Sequence, residues 1–329
     1  MKDIKCIIGF IFLNFFSISS SQVIHGTIFN KDTDEVVAHA SIYFSGTFKG
    51  TSSNENGFFE LDISQYSNRP LTISAIGFNS YTLTGIPEKE SIAIYLVPAL
   101  FKLDEAMVAT ESLADLRKTY LKIFKSAFLG TSFNAKRCNI TNEEDITFNY
   151  SSSVDTLKAF ARKPLQITNN SLGYQITYHL DKFEYDKNGG TLSFTGDIIF
   201  KKDMASGGSK RRTYLRRRKY AYNGSRMQLF RVLWATGIPS PSYTIKDAEN
   251  KALDFNQVVY QDIDQKKYLS FKEDIFVYYY SDLTVITFLQ DRVFFEQDGF
   301  FDPAGIQWGG IMSLRRIGDL LPYEYTKVL

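Results

Sequence analysis

The strongest local structural signal in the chain lies at residues 50–59, which read GTSSNENGFF. Asn56-Gly57 predicts a tight hairpin turn, because glycine tolerates the positive φ angles that such turns require. Short runs of alternating apolar and polar residues flank this turn and predict strands. The predicted strands cover residues 23–29, 40–44, 58–63, 71–76, 81–83 and 92–97. Because no helical pattern separates them, residues 22–109 are expected to form an antiparallel β-sandwich.

The order of four short motifs in this region resembles that of the carboxypeptidase regulatory-like domain. The motifs are HGTI at residues 25–28, ASIYFSGT at 40–47, GTSSNENGFF at 50–59 and ISAIGF at 73–78. The segment LDEAMV at 103–108 is similar to the strand that commonly ends this module. The resemblance implies a transthyretin-like β-sandwich of the kind found in exported proteins of Gram-negative bacteria. It also implies a non-catalytic role in binding, spacing or folding.

A second domain is predicted over residues 110–329, where the hydrophobic period changes. Apolar residues of 113–127 follow the spacing of an amphipathic helix, which Gly130 is expected to end. Another helix is predicted between Ser225 and Gly237. The predicted strands cover residues 146–150, 157–161, 165–167, 174–185, 191–200, 257–260, 268–271, 275–280, 284–289 and 292–296. The fold class is therefore mainly β: an N-terminal transthyretin-like antiparallel β-sandwich, then an α+β, largely antiparallel domain of unknown function.

Residues 1–21 have the layout of a secretory signal peptide. Lys2 and Lys5 form a charged start, an apolar stretch of about 11 residues follows, and small serine-rich residues precede Gln22. The apolar stretch is too short to span a bilayer, which requires about 20 residues. We therefore expect an exported protein, periplasmic or associated with the outer membrane, whose mature chain has no transmembrane segment. A membrane anchor or a buried N-terminal strand is the alternative for this segment.

The charge balance of the whole chain excludes some classes of partner. The chain has 38 Lys and Arg against 36 Asp and Glu, which gives a net charge of +2. This near balance of charges and the expected export both argue against nucleic acid as a partner. Cys138 is expected to be the single cysteine of the mature chain, so no internal disulfide is predicted.

The sequence contains no familiar catalytic or metal-binding motif. A zinc carboxypeptidase needs a His and a carboxylate about three residues apart, and none of His25, His39 and His179 has Glu at the third following position. No Gly-x-Ser-x-Gly motif and no phosphate-binding loop occurs. Cys138 and His179 form a candidate nucleophile pair, with an inert buried cysteine as the alternative. We expect no catalytic residues, no metal and no cofactor.

One local feature departs from the balanced charge. Residues 210–219 contain seven cations, a density that requires solvent or anions around it, and Arg side chains suit phosphate or carboxylate groups. The candidate binding residues are Lys210, Arg211, Arg212, Tyr214, Arg216, Arg217, Arg218, Lys219 and Tyr220. On a strand, the even spacing would place the tyrosines on the same face as Arg212, Arg216 and Arg218. The alternative is a strand whose charges face water or pair with neighbouring carboxylates.

The expected function is a non-catalytic binding or adaptor role in the cell envelope, through the sandwich and this basic and aromatic surface. The partner would be an envelope protein, an anionic lipid or a glycan. Two alternatives stay open at this point. One is a hydrolase, either a peptidase or a glycosidase, with an unrecognised site in the C-terminal domain. The other is a carbohydrate-binding module that uses clustered aromatic residues such as Tyr278, Tyr279 and Tyr280.

Overall fold

The computed structural model describes residues 22–87, 91–99, 113–205, 209–235 and 242–326. Their buried hydrophobic side chains form three clusters. We name the corresponding regions the sandwich unit (22–99), the central unit (113–222) and the distal unit (226–312). The predicted fold class is confirmed, because an N-terminal β domain precedes an α+β region with several antiparallel sheets. The predictions for residues 1–21 and 103–108 lie outside the described residues.

Two sheets that enclose a common core make up the sandwich unit. Its strands are β1 (Val23–Asn30), β2 (Ser41–Tyr43), β3 (Gly50–Ser52), β4 (Phe58–Asp62), β5 (Leu71–Ser74), β6 (Tyr81–Leu83) and β7 (Ser91–Leu96). The sheet orders are β4-β1-β7 and β3-β2-β5-β6. Alternate residues of β1, including Ile24 and Ile28, are buried, as expected for a strand with one face on the core. The pair β1 and β7 runs parallel, whereas the other described pairs of this unit run antiparallel.

The tight turn predicted at Asn56-Gly57 is confirmed. Gly57 has a φ angle of +71° and donates its N–H to Asn54 O at 2.9 Å. A Cβ atom at Gly57 would lie 2.8 Å from the carbonyl oxygen of Ile28. Both the backbone angle and the close approach of β1 therefore require glycine at this position.

The central unit packs helices on a six-stranded sheet. Its elements are α1 (Leu113–Leu129), β8 (Cys138–Ile140), β9 (Ile146–Ser151), β10 (Thr156–Ala161), β11 (Leu165–Asn169), β12 (Tyr174–Asp186), β13 (Leu192–Asp203) and α2 (Arg211–Tyr222). The sheet order is β8-β11-β12-β10-β9, and β13 also pairs with β12. Phe124 of α1 is fully buried against Phe183 of β12, with ring centroids 4.8 Å apart. The predicted end of α1 is confirmed, since Gly130 has a φ angle of +99°.

The strand interpretation of the basic segment is wrong, because residues 211–222 form the helix α2. Arg, Lys and Leu are good helix formers, and the apolar face of this segment recurs at helical spacing. The buried residues of α2, at positions i, i+4, i+7 and i+8, are Tyr214, Arg218, Ala221 and Tyr222. The helix places Tyr214, Arg218 and Tyr222 on its buried face and Arg212, Arg216 and Tyr220 on its exposed side, so the single face expected of a strand does not form.

The distal unit contains two small sheets and two helices around its own core. Its elements are α3 (Arg226–Trp234), β14 (Tyr243–Lys246), β15 (Ala252–Leu253), α4 (Phe255–Val258), β16 (Val259–Gln261), β17 (Lys267–Leu269), β18 (Ile275–Tyr279), β19 (Asp282–Phe288), β20 (Val293–Phe295) and β21 (Ile306–Gly310). The sheet orders are β15-β14-β18-β19-β21 and β16-β17-β20. The predicted helix after Ser225 is confirmed, and Ser225 Oγ accepts from Gln228 N at 3.1 Å. The strand predicted at 257–260 is partly wrong, because α4 occupies its first half.

The C-terminal strap, residues 317–325, leaves the distal unit and contacts the other two units. Its apolar side chains are buried in the core of the central unit. One of its backbone N–H groups donates to Gly46 O at 2.9 Å. Glu324 Oε1 accepts from Phe48 N at 2.8 Å and from the Tyr66 hydroxyl at 3.1 Å. The strap therefore ties the sandwich unit to the central unit.

No helix in the described part of the chain has both the length and the apolar character needed to cross a membrane.

Candidate functional site

The sandwich unit joins the central unit by extending its sheet. Thr47, which follows β2, forms a parallel bridge with Ile199 of β13. Gly46 N donates to Ile198 O at 2.7 Å, and Phe200 N donates to Thr47 O at 2.9 Å. These main-chain bonds make the loop after β2 a short additional strand of the central sheet. The contact holds the two units in a defined register.

A buried arginine joins the sandwich unit to the distal unit. Arg69 is 3% exposed and pairs with the carboxylates of Glu296 and Asp298. Although burial disfavours its charge, these two carboxylates raise the pKa of Arg69 above its ordinary value. Its guanidinium carbon lies 4.9, 4.6 and 5.0 Å from the ring centroids of Tyr66, Phe300 and Tyr323. We name these six residues the Arg69 clamp.

A cleft of about 330 Å³ opens where the sandwich unit meets the central unit. Its walls are residues 74–80 from the end of β5 onward, residues 160–164 from the end of β10 onward, and residues 179–181 of β12. Ile76 and Phe160 in these walls expose 65% and 45% of their surface. The cleft thus combines apolar side chains with polar groups from β12, a mixture that is typical of ligand sites.

His179 lies in the wall of this cleft. Its Nε2 atom is 3.2 Å from Ser74 Oγ, and its ring stacks on Tyr43 with the centroids 5.3 Å apart. Burial, together with the charge of Lys201, lowers the pKa of His179 to about 4. At neutral pH the imidazole is therefore uncharged and is a weak base.

Two carboxyl groups lie close to His179. Asp197 is its cross-strand partner on β13 and accepts a hydrogen bond from Thr72 Oγ1 at 3.2 Å. Asp181 is the extra residue of a β-bulge between β12 and β13, and it lines the cleft. Burial raises the pKa of both carboxyl groups, and the charge of Asp181 adds to the effect on Asp197. The cleft therefore has a set of titratable groups whose charges are poorly solvated.

The contact between Ser74 and His179 does not form an activated nucleophile. An imidazole with a pKa of about 4 removes a hydroxyl proton poorly at neutral pH. Ser74 is 3% exposed, and within the described ranges no carboxylate forms an ion pair with His179 that would orient it as a base. The described residues also contain no group of three or more His, Cys, Asp or Glu side chains suited to a metal ion.

Cys138 and His179, the candidate nucleophile pair, are not brought together. Cys138 pairs with Asn169, which in turn pairs with Tyr174 of β12. His179 lies further along β12 by about 17 Å, at roughly 3.3 Å per residue. Burial, with the charge of Asp319, raises the pKa of Cys138 to about 12. Such a pKa leaves little thiolate, the reactive form of cysteine, at neutral pH.

Helix α2 divides the predicted basic surface into two faces, of which one is buried. Arg218 is 3% exposed and donates two hydrogen bonds to the Asp203 carboxylate, at 2.9 and 2.6 Å. Its Nε donates to Leu172 O at 2.7 Å, and its guanidinium carbon lies 3.9 Å from the ring centroid of Tyr174. Tyr214 is buried on the same face. These two residues anchor α2 to the central unit.

The opposite face of α2 and the residue before it are exposed. We name as the basic stripe the exposed residues Lys210, Arg211, Arg212, Arg216, Lys219 and Tyr220. Arg212, Arg216 and Lys219 follow the i, i+4, i+7 spacing of one helix face. Across the described part of the chain, none of the five cations has a salt bridge or a side-chain hydrogen bond. Their charges are therefore available to a partner.

Two residues beside α2 were missed by the sequence analysis. Phe133 and Arg137, in the segment after α1, contact Arg217 of α2 through the Phe133 ring. They precede α2 by a long stretch of chain, and no local pattern links them to the basic segment. The sequence signal that could have pointed to them is the pair of cations Lys136 and Arg137 close to the aromatic residue Phe133.

Comparison with known proteins bears on the sandwich unit. Residues 24–108 match the family model of the CarboxypepD_reg-like domain, which confirms the resemblance carried by the four motifs. A domain of this family is a non-catalytic β-sandwich. No curated protein matches the chain. The central and distal units are therefore interpreted from their own residues.

Proposed function

We propose that this protein is an exported, non-catalytic component of the cell envelope that binds an acidic surface of another envelope protein. The basic stripe makes the contact, and the packed units behind α2 hold it in place. The CarboxypepD_reg-like domain at residues 24–108 supports a non-catalytic role for the N-terminal part of the chain.

The observation that carries the proposal is a row of exposed cations on an anchored helix, which have no salt bridge in the described part of the chain. Arg218 and Tyr214 fix the inner face of α2, so the outer face presents its charges at constant spacing. A fixed patch of one charge sign steers an oppositely charged partner and selects against others. The whole chain has a net charge of only +2, so this field is local to the stripe.

Export is proposed from the signal-peptide layout of residues 1–21. Intact-mass measurement of the protein recovered from the periplasmic and membrane fractions tests it. We expect a chain that starts near Gln22. A full-length chain that pellets with the membrane would instead support the anchor alternative.

Zero-length carbodiimide crosslinking tests the binding role, because this reagent joins lysine amines to carboxylates. The protein is crosslinked in the envelope fraction, and its partners and crosslinked peptides are identified by mass spectrometry. The test variant is Arg212→Ser/Arg216→Ser/Lys219→Ser, which removes three exposed charges and leaves Arg218 in place. The matched control is Lys31→Ser/Lys251→Ser/Lys272→Ser, which removes three exposed charges elsewhere.

Crosslinks from Lys210 to partner carboxylates, lost in the test variant and kept in the control, would support the proposal. Equal loss in both variants would indicate attraction by net charge alone, and equal retention would mean that the stripe is not the contact. Either of these two results would overturn it.

A further inference from the structure

Two guanidinium groups lie near one exposed aromatic ring next to α2. The side chain of Phe133 is 53% exposed. The guanidinium carbon of Arg137 lies 3.5 Å from its ring centroid, and that of Arg217 lies 5.0 Å from the same centroid. Both distances end at one ring, so the two guanidinium carbons lie no more than about 8.5 Å apart. They come from different parts of the chain, one from the segment after α1 and one from α2.

Backbone carbonyl groups orient both arginines. Arg137 Nη1 donates to Phe133 O at 3.2 Å. Arg217 Nη1 donates to Ser171 O at 3.5 Å, a long bond. Each guanidinium has further N–H donors that these contacts leave free, since arginine carries five in a planar fork. The guanidinium groups of Arg137 and Arg217 therefore lie next to the same ring, and each has N–H donors that are not used by these bonds.

The segment that carries Phe133 is itself fixed by side-chain hydrogen bonds. Asp319 Oδ1 accepts from Ser132 Oγ at 2.9 Å and from Asn134 Nδ2 at 2.8 Å. Asn134 Oδ1 accepts from Ser171 Oγ at 2.6 Å. The carboxylate of Asp319 is thus used by Ser132 and Asn134 and not by either arginine. The positions of the two guanidinium groups do not depend on a ligand to assemble them.

The charges of the two arginines are not neutralised. Throughout the described residues, neither Arg137 nor Arg217 forms an ion pair with a carboxylate. Lys136, next to Arg137, is also exposed and adds positive charge. Neighbouring cations repel each other, and an anion bound between them removes this repulsion.

We propose that Arg137 and Arg217 together bind a phosphate group at the Phe133 ring. Two forks that converge on a tetrahedral oxyanion form charge-assisted hydrogen bonds of about 2.8 Å and match its geometry better than a single carboxylate does. The Phe133 ring orients the two guanidinium planes through cation–π contacts. The inference deepens the proposed function and rests on it for its cellular setting, because Arg217 belongs to the helix that carries the basic stripe. The phosphate is carried either by an anionic lipid headgroup or by a soluble molecule.

Calorimetric titration of the mature protein with inorganic phosphate at low ionic strength tests the site. We expect saturable binding that weakens at least about 10-fold in Arg137→Gln/Arg217→Gln, because both charge-assisted forks are removed. The matched control is Lys31→Gln/Lys251→Gln, which removes the same number of charges from exposed positions outside the site and outside the basic stripe. It should weaken binding by less than about 2-fold, apart from the general effect of net charge. All three proteins should show the same thermal midpoint within a few degrees, since the replaced side chains other than the half-buried Arg217 are exposed.

Equal weakening in the two double variants, or no saturable phosphate binding by the parent protein, would overturn the inference. Flotation with vesicles of phosphatidic acid in phosphatidylcholine then separates the sources of phosphate. Flotation that depends on Arg137 and Arg217 would identify a lipid headgroup, and phosphate binding without flotation would identify a soluble ligand. Failure of this site leaves the crosslinks of the basic stripe unchanged, so the two proposals fail independently.

Discussion

Arg218 and Arg216 lie two residues apart in the same helix but in opposite environments. Arg218 is buried and hydrogen-bonded to Asp203, whereas Arg216 is exposed and has no ion-pair partner in the described ranges. The two residues have the same side chain and the same helix propensity, so the difference comes from the helical period alone. One arginine therefore serves the stability of the central unit, and the other is available for recognition.

The same contrast occurs at the contacts of the sandwich unit. Arg69 is enclosed by three aromatic rings and two carboxylates. Lys49 also pairs with a carboxylate, that of Asp62, but both side chains are about one-third to one-half exposed. Breaking a buried pair leaves an uncompensated charge, whereas an exposed pair contributes little. Burial, more than the number of ion pairs, decides what each cation contributes.

The largest expected effect is that of Arg69→Met. Methionine keeps much of the apolar volume between the rings but leaves Glu296 and Asp298 without their cation. We expect the free energy of unfolding to fall by about 3 to 5 kcal/mol. Urea denaturation at pH 7 measures it. The control is Lys272→Met, whose exposed pair with Glu273 should change the value by less than about 0.5 kcal/mol. Similar values for the two variants would mean that the Arg69 clamp does not stabilise the fold.

A smaller loss is expected from Arg218→Ala, measured beside Arg216→Ala. The first variant removes the bonds to Asp203 and to two backbone carbonyls, and should cost about 3 kcal/mol. The second should stay within about 0.5 kcal/mol of the parent protein, because it replaces an exposed residue of a helix. Thermal and urea denaturation measure both variants. An equal loss of stability in the two variants would contradict the division of α2 into two faces.

Acidification should destabilise the protein through His179, whose folded pKa of about 4 lies below its ordinary value of 6.5. Between these values the unfolded chain binds the proton more readily, so stability is retained above pH 6.5 and is lost as the pH falls toward 4. In His179→Gln the free energy of unfolding should fall between pH 7 and pH 4.5 by roughly 2 kcal/mol less than in the parent protein. Urea denaturation at both values measures the difference. An unchanged loss would show that His179 is well solvated in the folded state.

The smallest expected effect is that of Asp197→Asn, which should raise the free energy of unfolding. Burial raises the folded pKa of Asp197, so its charge destabilises the folded state at neutral pH, and protonation in acid removes that penalty. Asp197→Asn keeps the acceptor for Thr72 and should stabilise the protein by about 1 kcal/mol at pH 7 and by less below pH 4. The control Asp264→Asn replaces an exposed carboxylate and should be neutral. A destabilised Asp197→Asn would show that the carboxylate is needed in its charged form.

The parts of the fold that could be predicted are those with a local repeating pattern. The strand predicted at 81–83 coincides with β6, and the helix predicted from residue 113 coincides with α1 and ends before Gly130. Alternation in a strand and the 3.6-residue period of a helix are visible in any single segment. The turn at Gly57 could be predicted for the same reason, because the requirement for glycine is local.

The parts that could not be predicted depend on contacts between distant residues. Arg69 is separated from Glu296 by 227 positions, and no local pattern connects the two. Arg137 and Arg217 meet at the Phe133 ring for reasons of tertiary packing alone. The helix α2 was misinterpreted because alternating Arg and Tyr resembles a strand, while its buried face is defined only by the sheet beneath it.

The C-terminal strap sets the order in which the chain can complete its folding. The Glu324 carboxylate reaches the amide of Phe48 across 276 positions, and contacts between such distant residues form late because a long loop must close first. During synthesis the sandwich unit is complete well before residue 324 exists. The loop after β2 can pair with β13 once the central unit has been made, but its bonds to Glu324 must form later. The bonds of the strap can therefore complete the junction of the sandwich and central units only after all three cores have been synthesised.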